Sequence, residues 1–186
     1  KLGFKDVLLF APDLQNTNPF RDNPNAIVYL NTRLNGKIKN LNIPLFEMSG
    51  IGTTRVSVSG KIIGLPDGKK AYYDLNIKKL SSTAKDVYSF VPNGTIPKNI
   101  QLPPQFNLAG KFKGSVQNFK TNLALNSSFG NAKIDALFDQ RIKKREKYDA
   151  NISLMDFDLG RLIKNDSIGK IKLKAKIKGK GLDPKI

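Results

Sequence analysis

Cysteine, histidine and tryptophan are absent from these 186 residues, and methionine appears only twice. Without cysteine there is neither a disulfide framework nor a thiolate metal site, an absence compatible with any compartment. Without histidine the usual general base, the imidazole ligand of zinc sites and the familiar nucleophile triads are gone. No apolar run approaches the roughly 20 residues of a membrane-spanning helix. The opening KLGFKDVLLFAPDL has neither an initiator Met nor the architecture of a signal peptide, so the chain is expected to be a segment of a longer one. Acidic residues are also scarce, at 15 against 32 lysines and arginines. Asp156 and Asp158 sit two apart, but DFD beside a turn reads as a solvated strand end.

Two glycine patterns invite a nucleotide reading and fail it. GLPDGKK at Gly64 to Lys70 has three residues between its glycines and a second Lys where a phosphate loop needs Ser or Thr for magnesium. Gly50-Ile51-Gly52 lacks the third glycine of a dinucleotide fingerprint and leads into a strand, so no helix dipole faces a pyrophosphate. No catalytic constellation is present. The chain is expected to be no enzyme and to need neither cofactor nor metal.

The formal charge is +17, an excess that favours anionic surfaces. Part of it is compositional, because Lys, Asn, Ile and Phe all have A/T-rich codons. Nucleic-acid binding also wants aromatics interleaved with cations and arginine for bidentate base contacts. Here Lys predominates, Phe and Tyr fall mostly at apolar positions, and the lysines are spread over several strands. A solvated face is expected, with no nucleic-acid partner.

What the sequence has is alternation. In IKLKAKIKGKG, Ile171 to Gly181, every second residue of the first eight is a lysine and Ile171, Leu173, Ala175 and Ile177 fall between them. Period two puts the lysines on one face of a strand and the apolar set on the other. The pattern recurs. VSVSGKIIG from Val56, FNLAGKFKG from Phe106 and IKLKAKIKG from Ile171 align without a gap, with Gly60, Gly110 and Ala175 in one small-residue column, and LNTRLNGKI from Leu30 is a weaker copy. A second block, YDLNIKKL from Tyr73 and YDANISLM from Tyr148, precedes two of these strands. Each is followed by a short helical segment, AKDVYSFV at 84–91 or DLGRLIKN at 158–165. TNLALNSSFGNAKIDALFD reads as a hairpin, Pro66-Asp67-Gly68 as a turn, and the proline-rich stretches 16–24 and 92–104 as loops. A small residue in mid-strand makes room, either for curvature or for something packed against the sheet.

The expectation is a mostly β chain: one repetitive, strongly curved antiparallel sheet forming a groove, with one or two short helices. Hydrophobic content of 39% and aromatic content of 9% fit a folded chain. All of 1–186 reads as a single repetitive segment of a longer protein, with approximate units 26–72, 73–147 and 148–186.

The strand, the DLGRLI segment and the closing GKIKLKAKIKGKGLDP together resemble a repeat of the AsmA-like and TamB group of bacterial envelope proteins, in the version found in Bacteroidota. The best-matching stretch is Tyr148 to Pro184, a looser match covers Tyr73 to Gly114, and FKDVLLFAPDL also looks like that family's interior. The resemblance implies a taco-like β-sheet with a continuous hydrophobic groove. It implies periplasmic residence in a protein anchored in the inner membrane, and transport of phospholipid to the outer membrane. In the TamB branch it implies an outer-membrane barrel partner of the assembly-factor kind, engaged by parts of the chain outside this segment.

On that expectation, phospholipid acyl chains lie on Val56, Val58 and Ile62 in the first unit, Phe106, Leu108 and Phe112 in the second, and Ile171, Leu173 and Ile177 in the third. Leu123, Leu125, Ile134 and Phe138 of the hairpin fill the gap. Three rival readings share the alternation: a structural spacer with a filled interior, a carbohydrate or adhesion module with few exposed tyrosines to stack on sugars, and a nucleic-acid binder.

Overall fold

The computed structural model of the chain describes residues 1–10, 12–16, 20–91 and 94–181. Parts of both proline-rich loops and the last residues of the GKGLDP motif lie outside the described residues. Alternation becomes one open sheet of ten strands, all antiparallel, in the order of the chain. The strands are β1 (Leu2–Gly3), β2 (Ile27–Lys37), β3 (Asn40–Ile51), β4 (Thr54–Ile63), β5 (Tyr72–Thr83), β6 (Gln105–Ser115), β7 (Asn118–Ser127), β8 (Gly130–Asp139), β9 (Lys147–Asp158) and β10 (Lys170–Lys180). The unit boundaries after 72 and 147 fall at the first residues of β5 and β9.

Three short α-helices, one more than expected, gather at one set of strand ends: α1 (Phe4–Phe10), α2 (Ala84–Phe90) and α3 (Leu159–Ile163). The two expected helices are α2 and α3. The third, α1, lies in FKDVLLFAPDL, which the sequence reading leaves without an assigned element. Because the sheet is a meander, the other strand ends carry only turns and loops: 38–39, 64–71, 116–117 and 140–146.

Ala71, Ile43 and Thr121 are buried toward the turn end, but both buried hydrophobic clusters lie at the helix end. Phe4, Val28 and Ile51 cluster there with Phe20, Ala26 and Met48 packed around them. Phe129, Ala132 and Phe157 cluster with Leu125, Leu154 and Leu162 of α3. Phe129 sits in the β7–β8 turn, where the sequence reads as loop, yet its ring is 2% exposed.

The helix end is tied by a polar knot. Thr83 caps α2, its hydroxyl accepting from the Asp86 amide. The Asp86 carboxylate turns to the β3–β4 corner and accepts from the Thr53 amide at 2.9 Å and from the Thr53 and Thr54 hydroxyls at 3.1 Å. Desolvation pushes this carboxyl up, but the bonds from Thr53, Thr54 and Thr83 outweigh it and hold its pKa below the ordinary aspartate value.

The small-residue column has a backbone cause in two of its three members. Gly60 and Gly110 have φ of +145° and +142°, and a Cβ at either would strike a neighbouring strand's carbonyl, that of Asp74 or Asn122. Ala175 has ordinary strand geometry. Bulges at β3 (between Ile43 and Phe46), β5 (between Ile77 and Leu80) and β9–β10 (beside Leu173) locally increase the twist and bend the sheet.

Gly110→Val should therefore lower stability by more than about 2 kcal/mol, while Ala175→Val stays within about 0.5 kcal/mol; urea midpoints check the pair. Asp86→Ala should cost about 1–3 kcal/mol at neutral pH. With a folded pKa below the unfolded one, the wild-type advantage is complete above about pH 4 and vanishes as pH falls through the depressed value, so the two urea midpoints should converge in acid.

Candidate functional site

Strand register decides what the apolar residues form together. Pairing places Val58, Ile77, Gly110, Leu123, Ile134, Ile152 and Ala175 opposite one another in turn, from β4 to β10. One row toward the helices run Met48, Val56, Leu80, Leu108, Leu125, Ala132, Leu154 and Leu173. One row the other way, Leu75, Phe112, Thr121, Ala136, Ala150 and Ile177 follow. Phe106 and Ile171 sit nearer the helix end, and Ile62 and Phe138 nearer the turn end. All the predicted lining residues thus share one face, which crosses β4 to β10 without a break.

The β5 bulge is what keeps the face coherent. Lys78 and Lys79 together oppose Ala109, so the phase of the alternation is reset and Ile77 and Leu80 point the same way. Simple period-two reading fails at that point, which is why Leu80 escapes the sequence reading; Leu75 and Ile77, in regular register before the bulge, escape it too. Ile152 and Leu154 escaped it although YDANISLM alternates cleanly. Thr121 is a buried polar residue in the apolar rows, and its hydroxyl is satisfied by donating to the Lys111 carbonyl at 2.8 Å.

The exposure of this face separates it from a core. None of the predicted lining residues is buried: Leu173 and Ile177 are 42% and 44% exposed, and the rest are half-buried. A second layer would drive such residues below a tenth exposed, as it does Phe157 at 3% beneath α3. Among the described residues, the helices cover only the end of the face.

The turn end carries an aromatic row. Phe112 and Phe119 stack with ring centroids 5.1 Å apart, Phe119 meets Phe138 at 5.6 Å, and Tyr73 meets Phe112 edge-on at 6.3 Å. Tyr148 continues the row by lying over Gly179, where a Cβ would collide with its ring.

The opposite face is rich in lysine and asparagine, and it is concave in places. A cavity of about 780 Å³ spans β5 to β10, with Lys79, Lys133 and Lys174 in one row and Asn107, Asn126 and Asn131 in the next, and with Ala109, Ala124 and Met155 between them and Leu108, Leu125 and Ala132 also in its wall. A twisted sheet is a saddle, so concavity along one diagonal of the polar face is expected. Cross-strand bonds line that face: Asn126 to Asn131 at 2.6 Å, Ser81 to Asn107 at 2.5 Å and Asn122 to Asp135. Lys113–Asp74 and Lys178–Asp149 pair at 3.0 and 3.4 Å.

Among the described residues, no group of histidine, cysteine or acidic side chains could hold a metal ion, and no helix is long and apolar enough to cross a membrane. Searches of known protein families, curated proteins and solved structures find no match to this chain.

Phe119 is the centre of the aromatic row, contacting rings on both neighbouring strands. Phe119→Ala should lower stability by about 1–2 kcal/mol, less than a fully buried phenylalanine would cost; a urea midpoint left unchanged would mean that the row contributes nothing.

Proposed function

We propose that this chain is a segment of a non-enzymatic lipid conduit, a surface that shields phospholipid acyl chains between two membranes. The single observation carrying this reading is the unburied apolar face that runs in register from β4 to β10. Such a face is costly in water, at about 25 cal/mol per Å² of apolar area, and among the described residues no layer covers more than its helix end. An acyl chain matches it in length, chemistry and lack of directionality. Each methylene removed from water contributes about 0.8 kcal/mol. Because neighbouring strands present similar rows, moving by one strand exchanges similar contacts. Repetition therefore favours a track over a pocket.

The resemblance to AsmA-like and TamB repeats supports the same reading and adds a setting: the periplasm, in a protein anchored in the inner membrane and, in the TamB branch, partnered with an outer-membrane barrel protein through other parts of the chain. The rival is a β-spacer whose apolar face is covered by protein. The two diverge at Leu108 and Leu173. Leu173 is exposed on this face and Leu108 half-buried beneath no covering layer, so a charge there should be tolerated by the fold and intolerable to a lipid.

Native mass spectrometry with lipid extraction on gently purified protein is the test. Bound phospholipid is expected, displaced by detergent, little affected by salt and lost in Leu108→Asp and Leu173→Asp, while both variants keep a cooperative urea transition. A wild-type protein that is lipid-free, monodisperse and fully stable, or variants that unfold, would favour the spacer. Binding that collapses with salt would point to a polyanion instead.

A further inference from the structure

The loop joining β8 to β9 places an exposed aliphatic residue among cations. Ile142 is 62% exposed and lies between Arg141 and Lys143. Lys144, Arg145, Lys147 and the end of β10 at Lys180 are its neighbours, and a cavity of about 580 Å³ opens between Ile142 and Lys180. Only Asp139 and Glu146 oppose this charge. Asp139 is engaged by Arg141, its carboxylate accepting from the guanidinium at 2.6 and 2.8 Å. Glu146 accepts from the Lys144 amide at 3.0 Å.

The loop holds its tip outward by bonds of its own. The Arg145 amide donates to the Ile142 carbonyl at 3.1 Å, and the Gly181 amide donates to the Glu146 carbonyl at 2.8 Å. The neighbouring β6–β7 turn is fastened to it, with the Gln140 amide donating to the Gln117 carbonyl at 2.8 Å and the Gln140 side chain to the Val116 carbonyl at 3.3 Å. That turn carries its own exposed aliphatic, Val116, at 45%. Two strand spacings, about 10 Å, separate the two tips along the sheet.

The same composition recurs along this edge and is missing from the opposite one. Ile38, 64% exposed at the β2–β3 turn, sits between Lys37 and Lys39. The helix end has exposed apolar side chains too, Leu9 at 80% and Ile27 at 48% among them, but there Asp6, Asp86, Asp156, Asp158 and Asp166 balance the basic residues. The positive charge of the chain is therefore biased toward the turn end, where aliphatic tips project through it.

We propose that the turn end, centred on Ile142 and Val116, docks on an anionic lipid bilayer surface. Cations gather at a negatively charged surface, and aliphatic tips enter the hydrocarbon boundary behind the headgroups. Nucleic acid would meet the charge equally well but gives an exposed isoleucine nothing, and the loop has no aromatic side chain on which a base could stack. This inference does not rest on the lipid-conduit reading, because the apolar sheet face and the loop tips are different surfaces.

Co-sedimentation with vesicles of phosphatidylcholine alone, or of phosphatidylcholine with phosphatidylglycerol, tests it. The intact chain should bind the anionic vesicles, bind the neutral ones far less, and weaken as salt rises. Ile142→Asp should reduce binding by about tenfold or more. Lys143→Glu should reduce it by about fivefold or more, whereas Lys85→Glu on α2, the same change in net charge at the other end, should leave it within about twofold. Leu108→Asp should bind as the wild type does. The proposal is overturned if Lys143→Glu and Lys85→Glu weaken binding equally while Ile142→Asp is silent, since net charge alone would then explain attraction. It is overturned equally if Leu108→Asp abolishes vesicle binding, or if single-stranded nucleic acid binds the loop more tightly than vesicles and ignores Ile142→Asp. Circular dichroism of each variant confirms that these exposed substitutions leave the sheet intact.

Discussion

A sheet with one layer has to keep its phase. In a two-layered protein a strand that slips by one residue is caught by the partner layer, which accepts only one set of side chains. Here no second layer covers the middle of the sheet among the described residues, and the whole organisation depends on successive strands pairing so that their apolar residues fall on the same side. A one-residue error would turn every side chain of a strand over. The tight antiparallel turns enforce the register locally, and the cross-strand pairs enforce it again on both faces: rings and branched aliphatics on one, asparagine bonds and lysine–aspartate pairs on the other. The surface ion pairs contribute little energy, about 0–1 kcal/mol each, but each is satisfied in only one register.

The fold was legible because that constraint is written into the sequence as period two. The repeated strands, the hairpin around 126–131 and the turn at 66–68 could be read from alternation and turn residues, and α2 and α3 from the short segments that interrupt them. What escaped had local physical reasons. At β5, Lys78 and Lys79 interrupt the alternation with a bulge that only its neighbours on β4 and β6 reveal. Phe129 looks like a turn residue, and its burial follows from α3 and Phe157, brought over it from a distant part of the chain. Gly60 and Gly110 announced that space or curvature was needed, yet the positive φ behind the requirement lies in the backbone, and Ala175 in the same column lacks it. The candidate lining set was legible as a set because parity is all that membership requires. Its openness was not, since alternation is identical under a covering layer and under none.

The lysines follow from the same geometry. On β10, Lys170, Lys172, Lys174, Lys176, Lys178 and Lys180 alternate with Ile171, Leu173, Ala175 and Ile177, so the apolar side chains join the apolar face and the lysines go to the other. The repeated lysine column that suggests an anion-binding patch is thus explained first as the solvated side of an amphipathic strand, and the more selective clue is at the turn end, where cations accompany exposed aliphatic tips.

Stability is consequently distributed unevenly along the strands. The buried clusters, the Asp86 knot and the helix caps lie at one end, the aromatic row lies at the other, and the middle rows are held mainly by their neighbours in the sheet. Substitutions at the helix end remove contacts that nothing else replaces. Substitutions in the middle alter a surface already partly in contact with solvent, so they change what the sheet can hold more than whether it folds. A closed core couples these two properties, because the residues that would touch a ligand also carry the fold. An open, register-locked sheet releases the coupling, and successive strands can then present one continuous apolar surface whose composition is free to vary without loss of the fold.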